Sequence, residues 1–266
     1  EVFKKLLMSV PFMAIEIPLF GTLANIFGIF FAAILCGVIG AIIMTHGDDD
    51  GLRLPPCISP YHIVILPILS KPEKQEEVLR YCRALQQKLS MKEFRGRKLS
   101  IHIDARDMRG GDKNWEWIKK GVPVRLEIGP KDIENDACML TRRDKPHNEK
   151  MATSLQDLEA HILSLLEEMQ QGYFDQATRF RNQHTYHHVK TLKELNEFFT
   201  PKNPDQPEAH GGFVIAKWCG DPETEKLLEE HKITIRCIPL KQSGTEGTCI
   251  FTGRPATTDI LLAKAY

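Results

Sequence analysis

From Tyr61 onward the chain alternates strand-like and helix-like patterns, and this alternation limits the possible folds more than any other feature of the sequence. YHIVILPIL (61–69) is a short apolar run rich in β-branched residues and predicts a buried strand. KPEKQEEVLRYCRALQQKLS (71–90) sets Val78, Leu79, Cys82, Leu85 and Leu89 at spacings of three and four, the apolar stripe of a helix. KLSIHIDARD (98–107) alternates and predicts a second strand. DKNWEWIKKG (112–121) predicts a short helix closed by Gly121. VPVRLEIG (122–129) predicts a third strand, with Val122, Val124, Leu126 and Ile128 on one face. Residues 136–144 and the segment near 149–151 suggest a hairpin. The fold class is therefore α/β, with a mainly parallel or mixed sheet.

A long helix follows, with Ser154 and Asp157 at capping-box spacing and Leu155, Leu158, Ile162, Leu165 and Met169 as its stripe. TPKNPDQPEAHGG (200–212) reads as a linker or exposed loop. The remainder, with FVIAKW, ETEKLLEEH, ITIRCIPL, TCIF and DILLAK, reads as a small α/β unit, with Cys237 as a buried strand residue.

The front of the chain differs. Ile17–Gly47 holds no Asp, Glu, Lys or Arg, and on hydropathy alone this run is a transmembrane helix, long enough for about 30 Å of hydrocarbon. Lys4 and Lys5 precede it and Asp48, Asp49 and Asp50 follow, which puts the N-terminus inside and the polar part outside. That polar part has the look of a cytosolic domain. The seven cysteines are scattered with no short disulfide framework, so a reducing cytoplasm is the expected compartment.

Lys+Arg and Asp+Glu are 35 each, so any nucleic-acid grip must be local. Residues 95–131 carry such an excess, ten Lys/Arg against five Asp/Glu, with Trp115 and Trp117 among them. Basic groups grip phosphates and aromatic faces stack on unpaired bases. The same segment also fits a charged helix whose Trp residues face the core. Asp48–Asp50 reads as a solvated acidic turn rather than a metal site, since EF-hand spacing is absent. His184, His187 and His188 read as a solvated helix end. No phosphate-binding G-x-x-x-x-G-K, nucleophile elbow or acid–base pair stands out, so no catalytic residue is assigned.

HGDDDGLRLPP, HIVILPI, KGVPVRLEIGPKD, LTRRD, KWCGD, TIRCIPL, GRPA and the terminal LLAKAY occur in one order that closely resembles the prolyl-tRNA synthetase family of the archaeal/eukaryotic-like type, over about Gly40–Tyr266. The resemblance implies a class II synthetase anticodon-binding domain, a mixed five-stranded sheet with helices, at about 61–165. It also implies a helix and linker at 166–210 and a small C-terminal domain at 211–266. HGDDDGLRLPP becomes the seam (46–60) between catalytic and anticodon-binding domains, behind an apolar, helical segment (1–45). By the same resemblance Arg125, Lys131 and Asp132 match anticodon readers that take the two guanines of proline anticodons. Arg109, Lys113, Lys119 and Lys120 are expected on the tRNA backbone. Ile118 stands where many members have Glu, which removes one base contact.

Some members bind zinc in the C-terminal domain through C-x4-C and C-x2-C. Here Cys219 is followed by Thr224 and Cys249 by Thr252, so no structural zinc is expected and the two cysteines are remnants. By the resemblance the whole enzyme would use ATP and Mg²⁺ to join proline to its tRNA, and a cytoplasmic homodimer is among the expected assemblies. Family motifs 1 and 2 would precede residue 1, and Leu35, Cys36 and Gly37 stand where the family has S-T-R with the motif 3 arginine. This chain alone is therefore expected neither to bind ATP nor to activate proline. Gly40–Met44 matches the family's last catalytic strand. The apolar front has two readings: a membrane anchor through 17–45 on a regulatory or scaffolding domain, or foreign sequence joined to a truncated synthetase. The onset of the match inside the apolar run favours the join.

Overall fold

The computed structural model describes residues 34–69, 72–200, 211–229 and 232–264. Two units divide the chain, Glu1–Gln170 and Gln171–Tyr266.

In the first unit the elements are a helix over 34–46 (α1), β1 (Gly47–Asp48), β2 (Gly51–Leu52), β3 (Ile63–Pro67), α2 (Gln75–Ser90), β4 (Glu93–Phe94), β5 (Arg97–Lys98), β6 (Ile101–Ile103), α3 (Gly110–Lys119), β7 (Val124–Ile128), α4 (Pro130–Glu134), β8 (Ala137–Arg142) and β9 (Lys150–Ser154). The long helix α5 (Leu155–Gln183) follows and crosses the division. The sheet runs β6-β3-β7-β8-β9. β3 is parallel to both neighbours, and the last two pairings are antiparallel. Every residue of β3 is buried, as a strand covered on both faces requires.

The two faces are filled differently. Ile63, Ile65, Val124, Leu126 and Ile128 meet Val78, Cys82, Leu85 and Leu89 of α2, and Leu158, Ile162, Leu166 and Met169 of α5. Cutting any of the large ones to Ala costs about 2–5 kcal/mol. On the other face Val64 and Leu66 pack with Trp117 and Val122. Thus β3 leads through α2 to β6 on one side, and β6 leads through α3 to β7 on the other. Such a reversal with helices on opposite faces opens a crevice at the carboxyl ends of the strands.

Several sequence expectations shift. The strand expected over 98–107 is only Ile101–Ile103, because Arg97–Lys98 closes a separate hairpin with Glu93–Phe94 and Asp104 turns to meet Trp117. Val122 joins the α3 face, not that of Val124, because it precedes the strand. The buried position on α5 is Leu166; Leu165 is only partly covered. Its start does carry the expected cap, with the Asp157 N–H donating to Ser154 Oγ at 3.0 Å.

The apolar run from Ile17 falls mostly outside the described residues. Its end, 34–46, is helical, so Gly40–Met44 is not the strand that the resemblance implied. A helix bonds its own backbone, whereas a strand needs a neighbour, and none pairs with it among the described residues. No described helix is long and apolar enough to cross a membrane.

The second unit holds β10 (Thr185–Tyr186), α6 (Leu192–Phe199), β11 (Phe213–Trp218), α7 (Lys226–Glu229), β12 (Ile233–Cys237), β13 (Gly247–Thr248), β14 (Pro255–Ala256) and β15 (Thr258–Lys264). Its sheet runs β10-β11-β15-β12. The stretch 166–210, expected as helix and linker, supplies β10 to that sheet and Leu195 and Phe199 to its core. Residues 201–210 lie outside the described ones. Cys237 sits on β12 but is exposed, because a bulge between Ile235 and Cys237 shifts the register on this edge strand.

Candidate nucleic-acid interface

The crevice at the carboxyl ends of β3, β6 and β7 has a volume of about 680 Å³. Leu66 and Pro67 line it from β3, Met108 from the loop after β6, Gly111 and Asn114 from α3, and Glu127 from β7. Asp104 organises its wall. Arg106 reaches both of its carboxylate oxygens, at 2.8 and 2.7 Å, and the Trp117 indole N–H donates at 2.8 Å. These bonds, Arg106 first, hold Asp104 well below the usual carboxylate range although burial opposes it. Lys113 Nζ donates to the Asp104 carbonyl at 3.3 Å.

The first turn of α3 opens beside this wall. Arg109 precedes the helix without a side-chain cap, and Gly110 and Gly111 are exposed with no side chains to cover their N–H groups. Free N–H groups at a helix start favour an anion.

Arg125 is the least expected feature. It shares a sheet face with Glu127 and is fully buried. Its Nε donates to Asn114 Oδ1 at 2.7 Å. Nη1 and Nη2 are buried with no hydrogen-bond acceptor among the described residues. Burial, with nearby Arg143, lowers its pKa to about 10, so it stays charged at neutral pH. Glu127 does not neutralise it by contact, because both Glu127 oxygens accept from Lys150 Nζ, at 2.8 and 2.6 Å.

The loop after β7 completes this edge. Gly129 caps the start of α4, and its N–H donates to Asp132 Oδ2 at 2.7 Å. Oδ1 of Asp132 has no partner among the described residues. Lys131 beside it is exposed, and its ammonium makes no ion pair among the described residues. Arg109 and Lys113 therefore stand at the start of α3 and Lys131 and Asp132 on the turn after β7, while Arg125 is the second residue of β7, between Val64 and Thr141 of the neighbouring strands. Lys113 is buried rather than displayed, although it contributes to the crevice lining.

Lys119 and Lys120 sit at the far end of α3, roughly 15 Å along a ten-residue helix. Lys120 Nζ lies 4.2 Å from the Trp117 ring centre, and Lys119 Nζ 6.0 Å from that of Trp115. The two Trp residues divide the roles left open by the sequence: Trp117 is core and Trp115 is exposed. Ile118 is buried, and its carbonyl accepts from Arg143 Nε at 3.2 Å. The sequence reading missed Asn114, Glu127 and Lys150. The strand register that sets Lys150 opposite Thr141 and Thr141 opposite Arg125 left no signal in the sequence.

The acidic turn is structural. Gly47–Asp48 pairs with Gly51–Leu52, and Asp48 Oδ1 accepts from Arg143 Nη2 at 2.5 Å. The hairpin packs on the end of α3: Gly51, at φ 130°, leaves no room for a Cβ, which would stand 2.6 Å from Lys119 Cα. His184 caps the end of α5, stacked on Phe180 at 4.2 Å.

In the second unit the zinc-like positions do not fit a zinc ion. Thr224 Oγ1 is committed to the Trp218 indole at 2.8 Å and to the Asp221 carbonyl at 2.5 Å. Cys219 Sγ lies 3.6 Å from the Thr252 hydroxyl. Burial opposes ionisation of Cys249, but donors from Thr252, Phe251 and Cys219 outweigh it and bring its pKa down to about 7. Two sulfurs with two neutral hydroxyls are a poor tetrahedral set for zinc.

The crevice-bearing domain is of the anticodon-binding class: residues 62–165 match the family model described as anticodon binding domain. Residues 205–266 match that described as prolyl-tRNA synthetase, C-terminal. The chain is 54% identical over 229 residues to a proline–tRNA ligase of Protochlamydia amoebophila, covering 86% of this chain and 45% of that protein. It is 44% identical to proline–tRNA ligase 2 of Anaeromyxobacter dehalogenans, covering 86% and 46%. It is 39% identical to the enzyme of Bdellovibrio bacteriovorus, covering 86% and 45%. The chain belongs to the prolyl-tRNA synthetase family and carries its anticodon-binding and C-terminal domains. It spans about half the length of the curated relatives it matches.

Proposed function

We propose that this chain reads the anticodon of proline tRNA for a proline–tRNA ligase, a cytoplasmic enzyme that uses ATP and Mg²⁺ as a whole. The observation that carries the reading is Arg125: a buried cation with two unpaired donor nitrogens beside an open crevice. A guanidinium offers a two-pronged fork to guanine O6 and N7. Lys131 adds an exposed ammonium on the turn after β7, and Asp132 Oδ1 can accept from guanine imino and amino groups. Arg109, Lys113 and the open first turn of α3 take the phosphates that position the anticodon. Lys119 and Lys120 serve a more distant stretch of backbone. The chain alone binds tRNA without aminoacylating it. The alternative, a membrane-anchored scaffold, lacks a spanning helix among the described residues.

The test is a titration of the full chain, at one fixed salt concentration, with a proline tRNA transcript and with one whose two anticodon guanines are changed. The expected result is weaker binding of the altered transcript by about 1–3 kcal/mol per base. Equal binding of the two would overturn the reading and leave only an electrostatic grip.

A further inference from the structure

Asn114 stands between Arg125 and the crevice. It lines the cavity and accepts from Arg125 Nε at 2.7 Å. Glu127, the other neighbour of Arg125 on this face, also lines the cavity. The guanidinium thus lies one side chain behind the wall, out of contact with solvent. A planar guanidinium fixed at Nε has its orientation set, and its remaining edge carries Nη1 and Nη2. Buried donors left unpaired are uncommon and costly, so their persistence needs a reason. Had Asn114 accepted from an Nη nitrogen, half of the fork would be spent. Both oxygens of Glu127 accept from Lys150 Nζ, and no ion pair joins Glu127 to Arg125 among the described residues.

We propose that Asn114 is a positioning residue for guanine recognition: it anchors Arg125 through Nε, so that Nη1 and Nη2 form a spare donor fork behind the crevice wall, taken up by an entering guanine. The short side-chain movement this needs is of the kind common at binding surfaces. The inference rests on the anticodon reading above and adds a residue to it. Asn114 itself need not touch the base.

The experiment repeats the two-transcript titration on the full chain and four variants, three at Asn114 and Arg125→Ala, with the salt dependence of each. Asn114→Leu keeps the branched heavy-atom skeleton but removes the acceptor, and Asn114→Asp keeps the acceptor. Asn114→Leu is expected to lose about tenfold in discrimination between the transcripts. Its binding of the guanine-changed transcript and its salt slope stay as they were, which mere loosening of the fold would not produce. Asn114→Asp restores discrimination to within about threefold. Asn114→Ser, too short to reach Nε, gives the same loss should the Leu variant not fold. Full discrimination in the Leu or Ser variant, while Arg125→Ala discriminates poorly, would reduce Asn114 to a structural role and leave the anticodon reading intact. Absence of discrimination in the unmodified chain would remove both.

Discussion

Among the described residues each unit contains a sizeable cavity, and their polar walls are finished differently. The cavity of the second unit, about 780 Å³, is the larger. At its wall one largely buried ion pair is fully partnered: Lys217 Nζ lies 2.8 Å from Asp259, whose other carboxylate oxygen accepts from the Ser243 N–H at 2.6 Å. Gln242 Oε1 accepts from the Asp259 N–H at 2.6 Å, so the loop and β15 are tied together. The crevice of the first unit is smaller, yet behind it a guanidinium keeps two nitrogens unpaired. Volume therefore says little about function here. On the proposed reading, unsatisfied donors beside a smaller opening are the better pointer to a binding site, because a fold tolerates them only where a partner or a constraint compensates.

That contrast can be broken or sharpened by substitution. The largest effect is expected from Asp259→Ala, which leaves Lys217 largely buried without its carboxylate. Calorimetry should show the second unit losing about 3 kcal/mol, with discrimination between the two transcripts unchanged. A loss of discrimination would place part of the reader in the second cavity.

Acid should separate the units in a second way. His62 is buried beside Arg97, and burial first, then that cation, lowers its pKa from 6.5 to about 4. The unfolded chain therefore binds the extra proton at higher pH than the folded one. The associated stability is full above about pH 6.5 and is lost as pH falls toward 4, by about 3 kcal/mol at most. Denaturant titrations across this range should show that slope in the first unit, and His62→Gln should flatten it.

Arg125→Ala follows, with discrimination between the transcripts falling by about 1–3 kcal/mol. The smallest effects belong to surface cations. Lys131→Ala should weaken both transcripts and lower the salt slope by about one ion. Arg109→Ala, at the crevice end of α3, should cost more affinity than Lys119→Ala at its far end. The reverse order would move the backbone path away from the crevice.

Much of the first unit was legible because its signals are local. β3 is a continuous apolar run, α2 and α5 carry stripes at helical spacing, and Gly121 at φ 74° ends α3 as its position suggested. The basic cluster of 95–131 was also visible as composition. Its division into a crevice end and a far end was not, because that depends on which way α3 runs across the sheet. Cys237 was misjudged for a related reason: a bulge is a pairing property, and pairing joins residues far apart in sequence.

The sequence by itself determined the alternating α/β architecture, the break before Asp48 and, through ordered motifs, the family. These follow from periodicity and from blocks read along one strand of chain. Only the tertiary structure decided that Arg125 is buried, that Asn114 takes its Nε, that Lys150 holds Glu127 aside and that Asp48 serves Arg143. Each of those facts sets the charge state or availability of a side chain. Both depend on neighbours brought close by packing, on solvent excluded and on donors left over, none of which is written in the spacing of residues.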